Sequence, residues 1–148
     1  QLLRDGQAAK LHIDAIGFSA ATSACEKGWQ WNHALQMLQE MHRRRLLEVV
    51  SCNAALSACG QCSETTAAMK LFRSMQKEQF HPNQVSYNAA IFACSQGFWQ
   101  EAVQLLGEMK AAELVPDLKT YNSATNACGR ANELSAALKL LKEAERSQ

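Results

Sequence analysis

The sequence predicts an all-α chain: a right-handed α-solenoid of stacked helix–turn–helix units of 34–35 residues. Three observations carry this expectation. Cys25, Cys59, Cys94 and Cys128 are separated by 34, 35 and 34 residues. Met41, Met75 and Met109 are each 34 apart, as are Pro82 and Pro116, and four segments align in the same register: SAATSACEKG, NAALSACGQC, NAAIFACSQG and NSATNACGRA. Self-similarity at one fixed period is the signature of a repeat array. The chain also has only two prolines and seven glycines in 148 residues, few for a β-fold built on turns.

Each unit reads as two helices. In the first, apolar or small side chains recur at i, i+3, i+4 and i+7: Phe18, Ala21, Thr22 and Cys25; Cys52, Ala55, Leu56 and Cys59; Tyr87, Ala90, Ile91 and Cys94; Tyr121, Ala124, Thr125 and Cys128. That spacing aligns them on one helical face. The alanines keep the face shallow, which permits close packing. The second helix repeats the pattern with larger residues: Ala34, Met37, Leu38 and Met41; Ala68, Leu71, Phe72 and Met75; Ala102, Leu105, Leu106 and Met109; Ala137, Leu140, Leu141 and Ala144. Gly28, Gly97 and the Asn132 region are expected to break the chain between helices, and Pro82 and Pro116 to stop the second helices. One such pair cannot bury its own stripes, whereas stacked neighbours can. The expected units are 15–48, 49–83, 84–117 and an incomplete 118–148. Residues 1–14 read as the tail of a preceding unit, making about nine helices in a fragment of a longer array.

Composition narrows the function. With 15 basic and 14 acidic residues, the net charge of +1 excludes a nucleic-acid clamp held by bulk charge. It leaves open a reader that works through base edges. No run of about 18 apolar residues exists to span a membrane. The in-register cysteines read as buried free thiols in a reducing compartment. Cys59 and Cys62 form a C-x-x-C with Cys52 nearby, but no second pair follows at zinc-ligand spacing and His81 is the only nearby histidine. His12, His33, His42 and His81 share no face or spacing. No metal site, cofactor or catalytic residue is expected. Glu101 and Glu108 make no catalytic pair, and no G-x-S-x-G, P-loop or G-x-G-x-x-G is present.

The stretches VSYNAAIFACSQG and KTYNSATNACGRANELSAALKLL, with the unit ends FHPN and LVPD, resemble the pentatricopeptide repeat. The W-x-x-L-G-x-x-Y pattern of tetratricopeptide repeats is missing. The first unit ends Leu47-Glu48 where the family has Pro–Asp. The resemblance implies a sequence-selective reader of single-stranded RNA acting in organelles, the chloroplast or mitochondrion, with one base per repeat read by two or three side chains. It implies base reading by the residue after the opening aromatic together with the unit's last residue: Ser19 with Glu48, Asn53 with Asn83, Asn88 with Asp117, and Asn122 with its partner past the end of the chain. It implies base stacking on Ile16, Val50 and Val85, with Lys119 standing at that position in the fourth unit.

Two of those assignments have simpler alternatives. An Asn near a helix start also serves as a cap, and Pro–Asn and Pro–Asp are ordinary turn and cap pairs. Arg43, Arg44 and Arg45, the only dense basic run, suit either a helix C-terminus or, with Lys119, phosphate contacts. Trp29, Trp31 and Trp99, at the starts of second helices, suit packing or stacking. Two other functions compete: a protein-interaction scaffold of the helical-repeat type, with protein partners also open to flanking repeats, and the RNA-guiding part of an enzyme whose catalytic domain lies elsewhere. A repeated Asn with a closing Asn or Asp separates RNA reading from peptide binding, which has no reason to repeat it in register.

Overall fold

The computed structural model describes residues 2–78 and 80–147, with side chains from Asp14 onward. Among the described residues are eight α-helices and no strand: α1 (Leu2–Lys27), α2 (Trp31–Arg43), α3 (Val49–Gln61), α4 (Thr65–Lys77), α5 (Gln84–Cys94), α6 (Trp99–Ala111), α7 (Leu118–Arg130) and α8 (Leu134–Arg146). The difference from the expected nine lies in α1, which runs unbroken through residue 14. Asp14 stands 34 residues before Glu48, the N-cap of α3, and so occupies a cap register. Ile13 stands where the first unit has Leu47 and later units have Pro82 and Pro116. The helix passes through Asp14, whose carboxylate lies 3.8 Å from Arg44. Of the expected tail, Gln1 and the side chains of residues 2–13, His12 among them, lie outside the described residues.

A second correction concerns what stops the helices. The second helices end well before the prolines: α4 at Lys77 and α6 at Ala111. Pro82 and Pro116 instead precede the caps of the next helices, Asn83 and Asp117. The actual stop is a residue in the left-handed region, recurring at both kinds of turn: Trp29 (φ 58°), Ser63 (61°), Gly97 (118°) and Asn132 (60°) within units, Arg45 (57°) and Glu113 (59°) between them. Such residues close a helix by letting their own N–H and the next one reach back to its orphan carbonyls. At α3 these bonds are Ser63 N to Gly60 O and Glu64 N to Cys59 O, at 3.1 and 2.9 Å; at α7 they are Asn132 N to Gly129 O and Glu133 N to Cys128 O, at 3.1 and 2.9 Å. Gly28 does not break the first unit through its own φ: Trp29 beside it takes the left-handed position.

The core follows the two stripes. Cys59, Cys94, Cys128, Ala55, Ala90, Ala124, Met41, Phe72, Met75 and Met109 are all buried. Phe72 and Tyr87 pack edge to face with ring centroids 5.0 Å apart, tying α4 to α5. First helices pack in succession, α1 on α3 on α5 on α7, and each second helix also packs against the first helix that follows it. Among the described residues, successive second helices meet through long side chains. Arg73 on α4 donates to both carboxylate oxygens of Glu108 on α6, at 2.7 and 2.9 Å, and Lys110 pairs with Glu143 on α8. The stack is thus tight along its first helices and open along its second, which makes the first-helix side the inner face.

Candidate nucleic-acid interface

Residues two, three and five of each first helix build the interface. In α3, α5 and α7 the fifth residue is Asn53, Asn88 and Asn122. The capping alternative fails for all three, because they lie inside their helices. It holds for Asn83 and Asp117, each the N-cap of the next first helix. Each accepts a backbone N–H from the third helical residue, Ser86 at 3.1 Å and Thr120 at 2.8 Å, whose hydroxyls accept the cap's own N–H in return, both at 3.1 Å.

Capping places these residues against the preceding unit. Asn53 Nδ2 donates to Asn83 Oδ1 at 3.2 Å, and Asn88 Nδ2 to Asp117 Oδ2 at 3.3 Å. Both pairs expected from the sequence are therefore in direct contact, although 30 and 29 residues separate their members. The Ser19 and Glu48 pair is not joined in this way. Ser19 meets Ser51, the third residue of α3, at 3.0 Å, while the Glu48 side chain makes no cap bond. One extra methylene carries a Glu carboxylate past the position from which a shorter side chain caps.

Exposure is graded along the row. Asn53 is 8% exposed, Asn88 is half-buried under α7, and Asn122, with no following unit in the chain, is exposed. Ile16, Val50 and Val85 are 57%, 67% and 58% exposed. Open apolar side chains beside paired polar ones offer a flat contact next to a hydrogen-bonding edge. Burial raises the Asp117 carboxyl, but hydrogen bonds from Thr120 (side chain and backbone), Asn88 and Gln84 outweigh it and hold it below the usual carboxylate range.

The basic residues are less free than their run suggests. Arg44 lies 2.7 Å from Glu40 and covers the Phe18 ring at 5.0 Å, and Arg43 lies 3.2 Å from Glu40. Arg45 is exposed in the left-handed turn and Lys119 is exposed on α7. Trp31 and Trp99 pack against the core, while Trp29 is 64% exposed in its turn. All six cysteines are free thiols, and among the described residues no three His, Cys, Asp or Glu side chains gather as a metal site. No helix among them is long and apolar enough to cross a membrane.

Sequence reasoning missed two features. The hydroxyls of Ser51, Ser86 and Thr120 link the units, and their 35- and 34-residue spacing was the available signal. Phe92 sits one turn beyond Asn88, 37% exposed, where the other units carry Ser23, Ser57 and Asn126. Its ring lies over Gly60 so closely that a Cβ there would fall 2.8 Å from Phe92 Cδ1.

Stacked helix pairs with a recurring Asn and cap on the inner face define an α-helical repeat solenoid. Two family models match: one described as PPR repeat over residues 18–46, 85–114 and 119–148, the other as PPR repeat family over 47–96. The chain belongs to the pentatricopeptide repeat family. It is 38% identical over 88 residues to a pentatricopeptide repeat-containing protein of Arabidopsis thaliana, covering 60% of this chain and 12% of that protein. It is 25% identical over 112 residues to pentatricopeptide repeat-containing protein 1, mitochondrial, of Rattus norvegicus, covering 71% of this chain and 16% of that one. The chain thus spans a small part of these relatives. Among solved structures it superposes on the PPR domain of Arabidopsis thaliana protein-only RNase P 1 in complex with tRNA with a TM-score of 0.80, at 19% identity over 90% of this chain and 72% of that one. It superposes on PPR10 in complex with an 18-nucleotide psaJ RNA element with a TM-score of 0.68, at 22% identity over 76% of this chain and 17% of that one. These likenesses establish the fold.

Proposed function

We propose that this chain binds single-stranded RNA along its inner face, one base per unit, as part of a longer organellar protein that acts in RNA processing, stability, editing or translation. One observation carries the reading: Asn53 with Asn83 and Asn88 with Asp117 meet at the same register of successive units, beside exposed Val50 and Val85. The solved neighbours bound to tRNA and to a psaJ element are consistent with an RNA ligand, and the mitochondrial relative with an organelle.

The donor and acceptor inventory agrees with the bases that the family resemblance implies. An Asn amide has two hydrogens, and one is used on the cap, so each reading Asn keeps a donor for a pyrimidine carbonyl. Asn83 Oδ1 is occupied by Ser86 N and Asn53 Nδ2, which leaves the Asn83 amide hydrogens for the ring nitrogen acceptor of cytosine. Asp117 only accepts, which suits the ring N–H of uracil. As the resemblance implies, the second unit reads cytosine over uracil and the third reads uracil. With units and RNA parallel, as the resemblance implies, the core is 5′-C/U then U-3′. Ser19 with Glu48 receives no base, and Asn122 awaits a partner from a following unit. Ile16, Val50 and Val85 stack the bases, and Arg45 and Lys119 lead the phosphate contacts, with Arg43 and Arg44 held toward Glu40 in the free chain. No catalytic step is assigned to these residues. A protein-interaction scaffold would give no reason for the polar pair to recur.

Competition among short RNA homopolymers at fixed salt tests the reading. Preference for poly-pyrimidine supports it, and equal displacement by poly-A, poly-C and poly-U overturns it.

A further inference from the structure

We infer that Ser86 and Thr120 are positioning residues: the hydroxyl of one unit fixes which way round the reading amide of the preceding unit faces. This rests on the RNA-reading function proposed above. A backbone N–H can only donate. Ser86 N donates to Asn83 Oδ1 at 3.1 Å, so that atom of Asn83 is the oxygen. The Asn53 atom 3.2 Å away from it must then be the donor Nδ2. Its Oδ1 is left facing Ser86 Oγ at 2.6 Å, where the hydroxyl proton binds it. In the next unit Asp117, a carboxylate that can only accept, faces Asn88 Nδ2 at 3.3 Å, and Thr120 Oγ1 lies 2.6 Å from Asn88 Oδ1 and 2.7 Å from Asp117 Oδ1, its one proton shared between the two oxygens.

A flipped amide would set its oxygen against the cap oxygen, acceptor against acceptor, and would trade the hydroxyl's donated bond for one onto a hydroxyl oxygen that already accepts the cap N–H. A free Asn presents a donor or an acceptor with nearly equal ease. The held Asn presents only its donor, so its choice of base is made before RNA arrives. Each reading site is consequently assembled from two units: the Asn and the cap of one, the hydroxyl of the next. In the first unit Ser19 and Ser51 pair hydroxyl to hydroxyl and Glu48 stands apart, so there is no amide to orient.

Thr120→Val removes the hydroxyl and keeps the shape, and Thr120→Ser restores it. Two readouts apply. Side-chain amide NMR of the free protein follows Asn88 directly: in Thr120→Val its NH₂ protons should lose their protection from solvent exchange, and Thr120→Ser should recover it. Competition between oligonucleotides differing only at the base facing the third unit follows the consequence. Thr120→Val should lose about fivefold or more of the pyrimidine-over-purine choice there, leave the choice at the second unit intact, and be rescued by Thr120→Ser. A hydroxyl that only caps its helix would lower Tm and leave both base ratios unchanged, and that result overturns the inference. If the wild-type protein shows no base choice at either unit, the RNA-reading function fails and the inference with it. Choice present in the wild type and undiminished in Thr120→Val overturns the inference alone.

Discussion

Asn88 and Asp117 touch at 3.3 Å across the junction of α5 and α7, and Asp117 performs two tasks at once. It caps α7 through the Thr120 N–H and holds the reading amide of Asn88 at the head of its own unit. A substitution that keeps the cap and changes only the edge therefore isolates base reading from folding.

Asp117→Asn is that substitution. Asn caps as well as Asp does, and Asn83 already does so one unit earlier. The variant should keep its Tm and shift the third unit from uracil toward cytosine. Competition between oligonucleotides differing at that base measures the shift, expected at roughly 1–3 kcal/mol. An unchanged uracil-to-cytosine ratio with binding intact would reduce Asp117 to a cap.

Lys119 and Arg45 are exposed, whereas Arg44 is engaged by Glu40 and Phe18. Lys119→Gln should weaken all RNAs alike and reduce the salt slope of log K by about 1. Arg44→Gln should change affinity less and cost stability instead. Titrations at several salt concentrations separate the two. A larger slope change for Arg44 would reverse the assignment.

The thiols should divide by burial. Burial pushes Cys52 and Cys59 up to about 11 and Cys94 up to about 12, and raises Cys128. A protonated, enclosed thiol is inert, so at pH 8 an alkylating reagent should label half-buried Cys62 first and these four only on unfolding. The linkage sign follows from the same shift. Unfolded thiols ionise near 9.0, so above that pH the folded chain holds more protons and stability falls as pH rises toward 11. Urea midpoints that rise between pH 9 and 11 would contradict this.

Glu113 sits at φ 59°, a conformation that costs a residue with a Cβ roughly 1–2 kcal/mol relative to glycine. Glu113→Gly should raise stability by about 1 kcal/mol, equivalent to roughly 2–4 °C in Tm. Gly97→Ala, at φ 118°, should do the opposite and by more. Thermal melts followed by circular dichroism give both signs.

Gly60 and Phe92 should be energetically coupled. Gly60→Ala brings a Cβ to 2.8 Å from the ring of Phe92 and should destabilise the native chain. In a Phe92→Ser background the clash is gone, and Ala should stabilise α3 by up to about 1 kcal/mol through helix propensity. A double-mutant cycle measures the difference, and additivity within 0.3–0.5 kcal/mol would show that the ring moves aside freely.

Periodicity alone determined much of this molecule. A spacing of 34–35 specified the helix pairs and the buried Cys and Met stripes, because positions in one register meet the same environment in every unit, while the pairing of Asn53 with Asn83 and Asn88 with Asp117 was implied by the resemblance to the pentatricopeptide repeat. Where that reasoning ran out, the missing quantity was three-dimensional. Helix α1 runs unbroken through Asp14, although its register matches a cap. The left-handed stop at Trp29 rather than Gly28 is set by how many residues the turn must span, which composition does not encode. The role of Ser86 and Thr120 became visible only when stacking brought α3 to α5 and α5 to α7. A hydroxyl's proton has no direction in a sequence, and it acquires one only from the backbone N–H and the amide that packing places around it.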